Sequence, residues 1–276
     1  DGLNLRAYRH EPNVGKRKSW AAGDAVSRGI ELASISEFED EIYSEIQKDE
    51  NWGFEKVFLN GENLSFGKDL NDWVIENVLF KVLYPAEFHG QSAIEASVKL
   101  SDLYKEKEQE IEKIIVETHE PAIRIISNKE NLKNASDRDH SLEFMVAAGL
   151  LFKEVNSKTY EDNFSGLKQI ENLRRKIKVQ ENKEFTENYY DISKRHIANT
   201  VYFEYNDGSF SKKETVETPI GHPNRREEAE PLLKQKFINN MSSHFSEERA
   251  KDIWEKILLI DVDSEFKEVI KLLSND

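Results

Sequence analysis

Residues 197–218 read IANTVYFEYNDGSFSKKETVET. Val201, Phe203 and Tyr205 alternate at a period of two, the pattern of a strand with one buried face. Asn206-Asp207-Gly208 supplies hairpin turn chemistry, and residues 209–218 supply the returning strand. Working outward, residues 80–84 and 111–118 also read as buried strands, the second rich in Ile and Val. Between them the apolar spacing becomes helical from Gly90, with Ala93, Ala96, Leu100 and Leu103 on one face. Further helices are expected from Asp139 or His140 to Phe152, with Asp137 or Asp139 as cap, and over residues 167–177.

Towards the C-terminus, Pro231 suits the first turn of a helix reaching about Ser243, because its missing N–H is not needed there. Ser246 can cap a helix running on to about Ile260. Near the N-terminus a helix is expected over residues 21–33. Residues 34–49 are acidic, with Ile35, Phe38, Ile42 and Ile46 at helical spacing, and read as an amphipathic surface helix. Residues 52–59 and 64–66, joined across Asn60-Gly61, read as a short hairpin. Helices on both sides of a mixed middle indicate an α+β fold in which the α+β part is inserted into a helical domain.

Composition narrows the function. The chain has 276 residues and a formal net charge of −14, which argues against nucleic acid and anionic membrane as partners. No apolar run approaches the ~18 residues of a transmembrane helix. With no cysteine, disulfides, zinc–thiolate centres and cysteine-held iron–sulfur clusters are excluded for this chain. Nor does the sequence carry a Gly-rich phosphate loop, a His/Asp/Glu metal pattern or a nucleophile elbow.

One stretch runs against the acidic balance. Residues 1–33, DGLNLRAYRHEPNVGKRKSWAAGDAVSRGIELA, carry Arg6, Arg9, His10, Lys16, Arg17 and Lys18 ahead of a small-residue helix. A cationic cluster on an acidic protein suits a small polyanion better than a nucleic acid, which needs a broad basic face.

These residues, together with Glu76-Asn77-Val78-Leu79-Phe80-Lys81, Tyr84-Pro85-Ala86-Glu87-Phe88-His89, Thr118-His119-Glu120, Ile123-Arg124-Ile125-Ile126, Asp137-Arg138-Asp139-His140, Tyr160-Glu161-Asp162-Asn163 and Pro219-Ile220-Gly221-His222, closely resemble the 2-methylcitrate dehydratase family of the MmgE/PrpD superfamily. The resemblance implies a large helical domain interrupted by a smaller α+β lid, with the active site between them. Residues 1–79 would then be the first helical part, 80–221 the lid, and 222–276 the helical return. Family members are longer, and their N-terminal helical part carries a His-Pro motif of the active site. The chain therefore resembles the C-terminal part of such an enzyme. It is expected to expose apolar surface on residues 20–33 and the last two helices, to be covered by a homodimer partner or by that N-terminal part.

The implied reaction is dehydration of 2-methylcitrate to 2-methyl-cis-aconitate in propionate breakdown, without metal or organic cofactor, in the cytoplasm or a fungal mitochondrial matrix. Removing a proton beside a carboxylate builds negative charge, so cations must neutralise the substrate while an acid and a base reach it. By its match to a catalytic lysine in the related cis-aconitate decarboxylase, Lys18 is the first catalytic candidate; otherwise it is a solvated lysine of a basic loop. His89, at the mouth of a helix whose dipole favours anions, is the second, or else a structural hydrogen-bonding residue. The decarboxylase has a histidine where Glu87 stands here. Arg9, Arg17, Lys81, Arg138 and His140 are candidate substrate-binding residues, with capping or a solvated turn as the other account of the last two. His222, Arg225 and Arg226 are expected to be structural, and His119, His196 and His244 carry no expected role. Two other functions stay open: a related lyase acting on citrate or cis-aconitate, and a non-catalytic binding or assembly module.

Overall fold

The computed structural model describes residues 17–38, 46–65, 78–127, 131–261 and 266–274. The chain forms two compact units, Asp1–Val78 and Leu79–Asp276.

In the first unit, α1 spans Arg17–Ser36, longer at both ends than the periodicity predicts. It exposes Trp20, Val26, Ile30, Leu32 and Ile35, as expected of this stretch. Arg17 pairs with Asp24 at 3.2 Å and lies 4.2 Å over the Trp20 ring. Of the amphipathic helix expected over residues 34–49, only the ends are described: residues 37–38 and 46–48 are turns. The hairpin expected across Asn60-Gly61 is instead a one-turn helix, α2 (Phe54–Phe58). Asn60 and Gly61 both have positive φ (53° and 85°), and the Gly61 N–H returns to the Glu55 carbonyl at 2.8 Å. The Asn-Gly pair thus stops a helix instead of linking two strands. The Glu55 carboxylate, accepting from Gln47 and from the Leu64 N–H, ties both flanks to that turn.

The second unit is built on one four-stranded sheet in the order β2-β1-β3-β4. Strand β1 (Ile111–Thr118) runs antiparallel to β3 (Asn199–Tyr205), with Val116 opposite Val201. Strand β4 (Glu214–Val216) returns antiparallel to β3. The turn between them closes at Gly208, whose φ is 81°. Strand β2 (Ile177–Glu181) pairs in parallel with β1. Its first residue, Ile177, is the last of the helix expected over residues 167–177; that helix, α7, stops short at Arg174 (Leu167–Arg174).

Helices α3 (Gln91–Lys107) and α6 (Leu142–Phe152) pack on each other, and α3 packs on β3. Leu100, Ile114, Phe144, Met145, Val201 and Phe203 are fully buried in the resulting core. Short helices α4 (Glu120–Ile126) and α5 (Ala135–Arg138) follow β1, and α8 (Lys183–Tyr190) follows β2. The caps differ from expectation. Ser141, not Asp139, caps α6 by accepting from the Phe144 N–H, and Asn134 caps α5 by accepting from the Asp137 N–H. A serine hydroxyl two residues later satisfies the free N–H groups equally well.

Residues 80–84 are not a strand. Phe80 donates to the Gly221 carbonyl at 3.1 Å, but Pro85 has no N–H to extend a ladder. Gly221 makes that approach possible: its φ is 100°, and a Cβ would stand 2.0 Å from the Phe80 carbonyl oxygen.

The chain ends in helices, as expected. Helix α9 (Arg226–Met241) begins a full turn before Pro231, which therefore lies inside it and not in its first turn. Helix α10 (Glu247–Ile257) is capped by Ser246 as read from sequence, and α11 is Phe266–Leu272. Phe237 and Trp254 join α9 to α10 with ring centroids 5.3 Å apart. Arg225 binds Glu95 at 2.9 Å, the Thr218 carbonyl at 2.8 Å and Glu228 at 2.8 Å, fastening the start of α9 to α3. His222, buried, accepts from the Asn224 N–H and meets the Arg195 carbonyl, the structural role expected of it.

Candidate active site

Five segments converge near the N-terminus of α3. The turn Phe88–Gly90 leads into the helix and sits directly on α6, where a Cβ at Gly90 would collide with Met145 at 2.6 Å. Gln91 reaches back to the carbonyls of Tyr84 and Ala86, both at 2.9 Å, and so fixes the loop that carries Glu87. The Glu87 N–H donates to the Asp139 carbonyl, which brings in the turn after α5. Asn199, at the start of β3, donates to the His89 carbonyl and to Ser92. His119 stands at the end of β1, and Tyr189 reaches over from α8.

His89 is held at both ring nitrogens. Its Nδ1 lies 2.9 Å from both Glu87 carboxylate oxygens, and its own backbone N–H donates to the same group at 2.8 Å. Burial by itself would raise the Glu87 carboxyl, but the bonds and charge of His89 outweigh it, with His140 adding to them. The net result holds Glu87 down to about 2. An ionised carboxylate only accepts, so Nδ1 carries a proton, and the tautomer that Glu87 selects is the one whose lone pair lies at Nε2. That nitrogen lies 3.3 Å from the Tyr189 hydroxyl.

Behind this pair lies His119, fully buried, its ring 5.2 Å from His89 and stacked on Tyr189 at 4.7 Å and 13°. Its Nδ1 is 3.4 Å from the Ala198 carbonyl, and among the described residues its Nε2 has no hydrogen-bond partner. Burial, reinforced by His89, pushes its pKa down to about 4, so the ring is neutral at physiological pH. Burial also raises the Tyr189 phenol, which stays protonated.

The residues singled out from sequence separate into groups. His89 and His140 come together: both act on Glu87, and His140 Nδ1 lies 2.9 Å from the Ser136 carbonyl and also meets Asp139. Arg138 is buried and turned into the protein. It donates to the Tyr160 carbonyl and meets Asp162 at 2.6 Å, so it secures the turn bearing His140. Lys81 is exposed, and its carbonyl accepts from the half-buried Lys236 ammonium. Arg9 lies outside the described residues, as does the rest of the basic loop before Arg17. Lys18 falls on α1, but its side chain is likewise outside the described residues.

Three residues of the cluster were missed: Glu87, His119 and Tyr189. Glu87 was visible as a departure from the related decarboxylase, and His119 as a histidine closing a buried strand. Nothing local in the sequence marks Tyr189. Among the described residues, no group of three or more His, Cys, Asp or Glu is placed to hold a metal ion.

Residues 84–261 match the MmgE/PrpD C-terminal domain. Among curated proteins, the chain is 43% identical over 258 residues to a 2-methylcitrate dehydratase of Escherichia coli K12, covering 92% of this chain and 53% of the relative. It is 40% identical over 256 residues to that of Cupriavidus necator, covering 92% and 53%. To the mitochondrial 2-methylcitrate dehydratase of Yarrowia lipolytica it is 38% identical over 256 residues, covering 92% and 49%. The chain spans about half the length of these relatives.

Proposed function

The chain belongs to the MmgE/PrpD family, and on that premise we propose that the polypeptide carrying it dehydrates 2-methylcitrate to 2-methyl-cis-aconitate. The observation that carries this reading is the Glu87–His89 couple in a chain so similar to 2-methylcitrate dehydratases. Glu87 fixes the tautomer in which His89 Nε2 accepts a proton, as a general base requires. With loss of the carbon-bound proton that base gains a proton, the C–H electron pair becomes the new C=C bond, and the C–O pair leaves with the hydroxyl. The hydroxyl departs as water with a proton from a general acid, the role we propose for Lys18. Arg9, Arg17, Lys81 and His140 are proposed to neutralise substrate carboxylates, with Arg138 positioning His140 from behind.

Among the described residues no helix is long and apolar enough to cross a membrane. We place the enzyme in the cytoplasm, or in the mitochondrial matrix of a fungus, as a homodimer.

The test is an assay of the full-length polypeptide with 2-methylcitrate, citrate and cis-aconitate, following alkene formation or loss. We expect 2-methylcitrate to give the highest kcat/KM. Preference for citrate or cis-aconitate would assign the related-lyase reading, and no turnover of any of the three would assign the non-catalytic one.

A further inference from the structure

Both nitrogens of the candidate base are occupied: Nδ1 by Glu87 and Nε2 by the hydroxyl of Tyr189. A substrate proton can reach Nε2 only if Tyr189 moves away or passes the proton on. The surroundings hold Tyr189 in place. Its ring stacks on the fully buried His119 and meets Tyr190 edge-on at 5.2 Å and 89°. The Thr186 hydroxyl, one turn earlier on α8, accepts from the Glu120 N–H and donates to Glu181, fastening the helix beside the His119 segment. The ring is nonetheless only half-buried, so its hydroxyl can face both His89 and a ligand.

We propose that Tyr189 is a proton relay for His89, the third member of a Glu87–His89–Tyr189 chain, with His119 as the neutral ring that holds it. The proposal rests on the dehydratase reading above. In the step, the phenolic oxygen takes the carbon-bound proton of the substrate while the phenolic proton passes to His89 Nε2. The C–H electron pair becomes the C=C bond, and the hydroxyl leaves with the C–O pair and becomes water with a proton from the general acid proposed above, Lys18. Tyr189 ends the step as the phenol it was, and His89 ends it as the imidazolium paired with Glu87. The role of His119 follows from its chemistry. A neutral ring can stack on the phenol without adding a second positive charge beside the imidazolium formed in the step.

The experiment compares wild type with Tyr189→Phe in the full-length polypeptide, because phenylalanine keeps the ring and its stack on His119 but removes the hydroxyl. We expect kcat to fall by roughly tenfold to a hundredfold, with KM within about threefold. An unchanged or raised kcat would mean that the ring only covers His89, and would overturn the relay. A second readout does not depend on turnover. Imidazole ¹⁵N spectra should show His89 protonated at Nδ1 with Nε2 accepting, and the Nε2 signal should move in the Tyr189→Phe variant. The opposite tautomer in wild type, or an unmoved Nε2 signal in the variant, would overturn the proposal whether or not the enzyme turns over tricarboxylates. A wild type inactive on all three acids but with the expected spectra would overturn the dehydratase reading and leave the His89–Tyr189 contact supported.

Discussion

In the full-length polypeptide, His89→Gln is expected to lower kcat by about 10²–10⁴-fold and to change KM only a fewfold. The expectation follows from what the site gives this ring. Glu87 sits within 2.9 Å of Nδ1 and accepts the backbone N–H of the same residue, so the carboxylate fixes both tautomer and orientation. Glutamine keeps a polar group near Glu87 but offers no basic nitrogen, so the loss falls on proton transfer and not on ground-state binding. Exposed His244, far from the cluster in sequence, serves as the control, and His244→Ala should leave kcat unchanged. Steady-state kinetics on the three proteins decide the matter. Near wild-type kcat in His89→Gln would remove His89 from the chemistry.

Acid should destabilise the protein in two separate windows, and His119→Phe should remove the His119 share of the higher one. His119 has an ordinary pKa of 6.5 when unfolded and about 4 when folded, chiefly because it is buried. As pH falls from about 6.5 towards 4, the unfolded chain gains a proton that the native ring refuses, and the native state loses ground. The full loss is ~3 kcal/mol, complete below pH 4. Glu87 works in the same sense and lower down. Its folded pKa of about 2 against 4.5 unfolded gives stability that is present above pH 4.5 and disappears as pH falls through 2. Urea unfolding of wild type and His119→Phe between pH 7 and 4.5 therefore isolates His119. His222, also held below its ordinary value by burial, titrates in both proteins and cancels in the difference. Phenylalanine preserves the stack on Tyr189. Parallel pH profiles for the two proteins would show that His119 is not the titrating group.

The elements that could be read from the sequence share one property: their periodicity extended over enough residues to be unambiguous. The strand Ile111–Thr118 was read to the residue, β3 was read as residues 197–205, and the α3 face Ala93, Ala96, Leu100 and Leu103 does turn to the core. Short elements failed. Ile177–Glu181 has only two branched apolar residues, and Ile177 also continued the helical spacing of residues 167–177, so the longer pattern won. Asn60-Gly61 offers the same positive φ values to a hairpin turn and to a helix stop, and only the flanking bonds of Glu55 choose between them. Residues 80–84 have strand-like composition, but Pro85 and the single bond to Gly221 leave them without a ladder.

The site divides in the same way. His89 was found because its place before a helix gives it electrostatic meaning. Glu87 was seen only as a missing histidine, because the sequence does not show that its carboxylate folds back onto the residue two positions on. Tyr189 comes within reach of His89 across 100 residues of chain, through the parallel crossover that places β2 beside β1 and so brings α8, which follows β2, onto α4. Pairings of that kind depend on topology, and no local pattern encodes them. For Arg138 the sequence leaves a capping turn and a carboxylate grip equally open, and its burial against Tyr160 and Asp162 comes from the packing of the turn.

The central claim is that tricarboxylate chemistry takes place at the Glu87–His89–Tyr189 cluster. It is tested most directly by a crystal structure of the full-length polypeptide bound to propane-1,2,3-tricarboxylate, a substrate skeleton without the departing hydroxyl. The account predicts the ligand with its central carbons next to the Tyr189 hydroxyl and His89, and its carboxylates on cationic side chains. A well-ordered tricarboxylate bound elsewhere, touching neither His89 nor Tyr189, would contradict it.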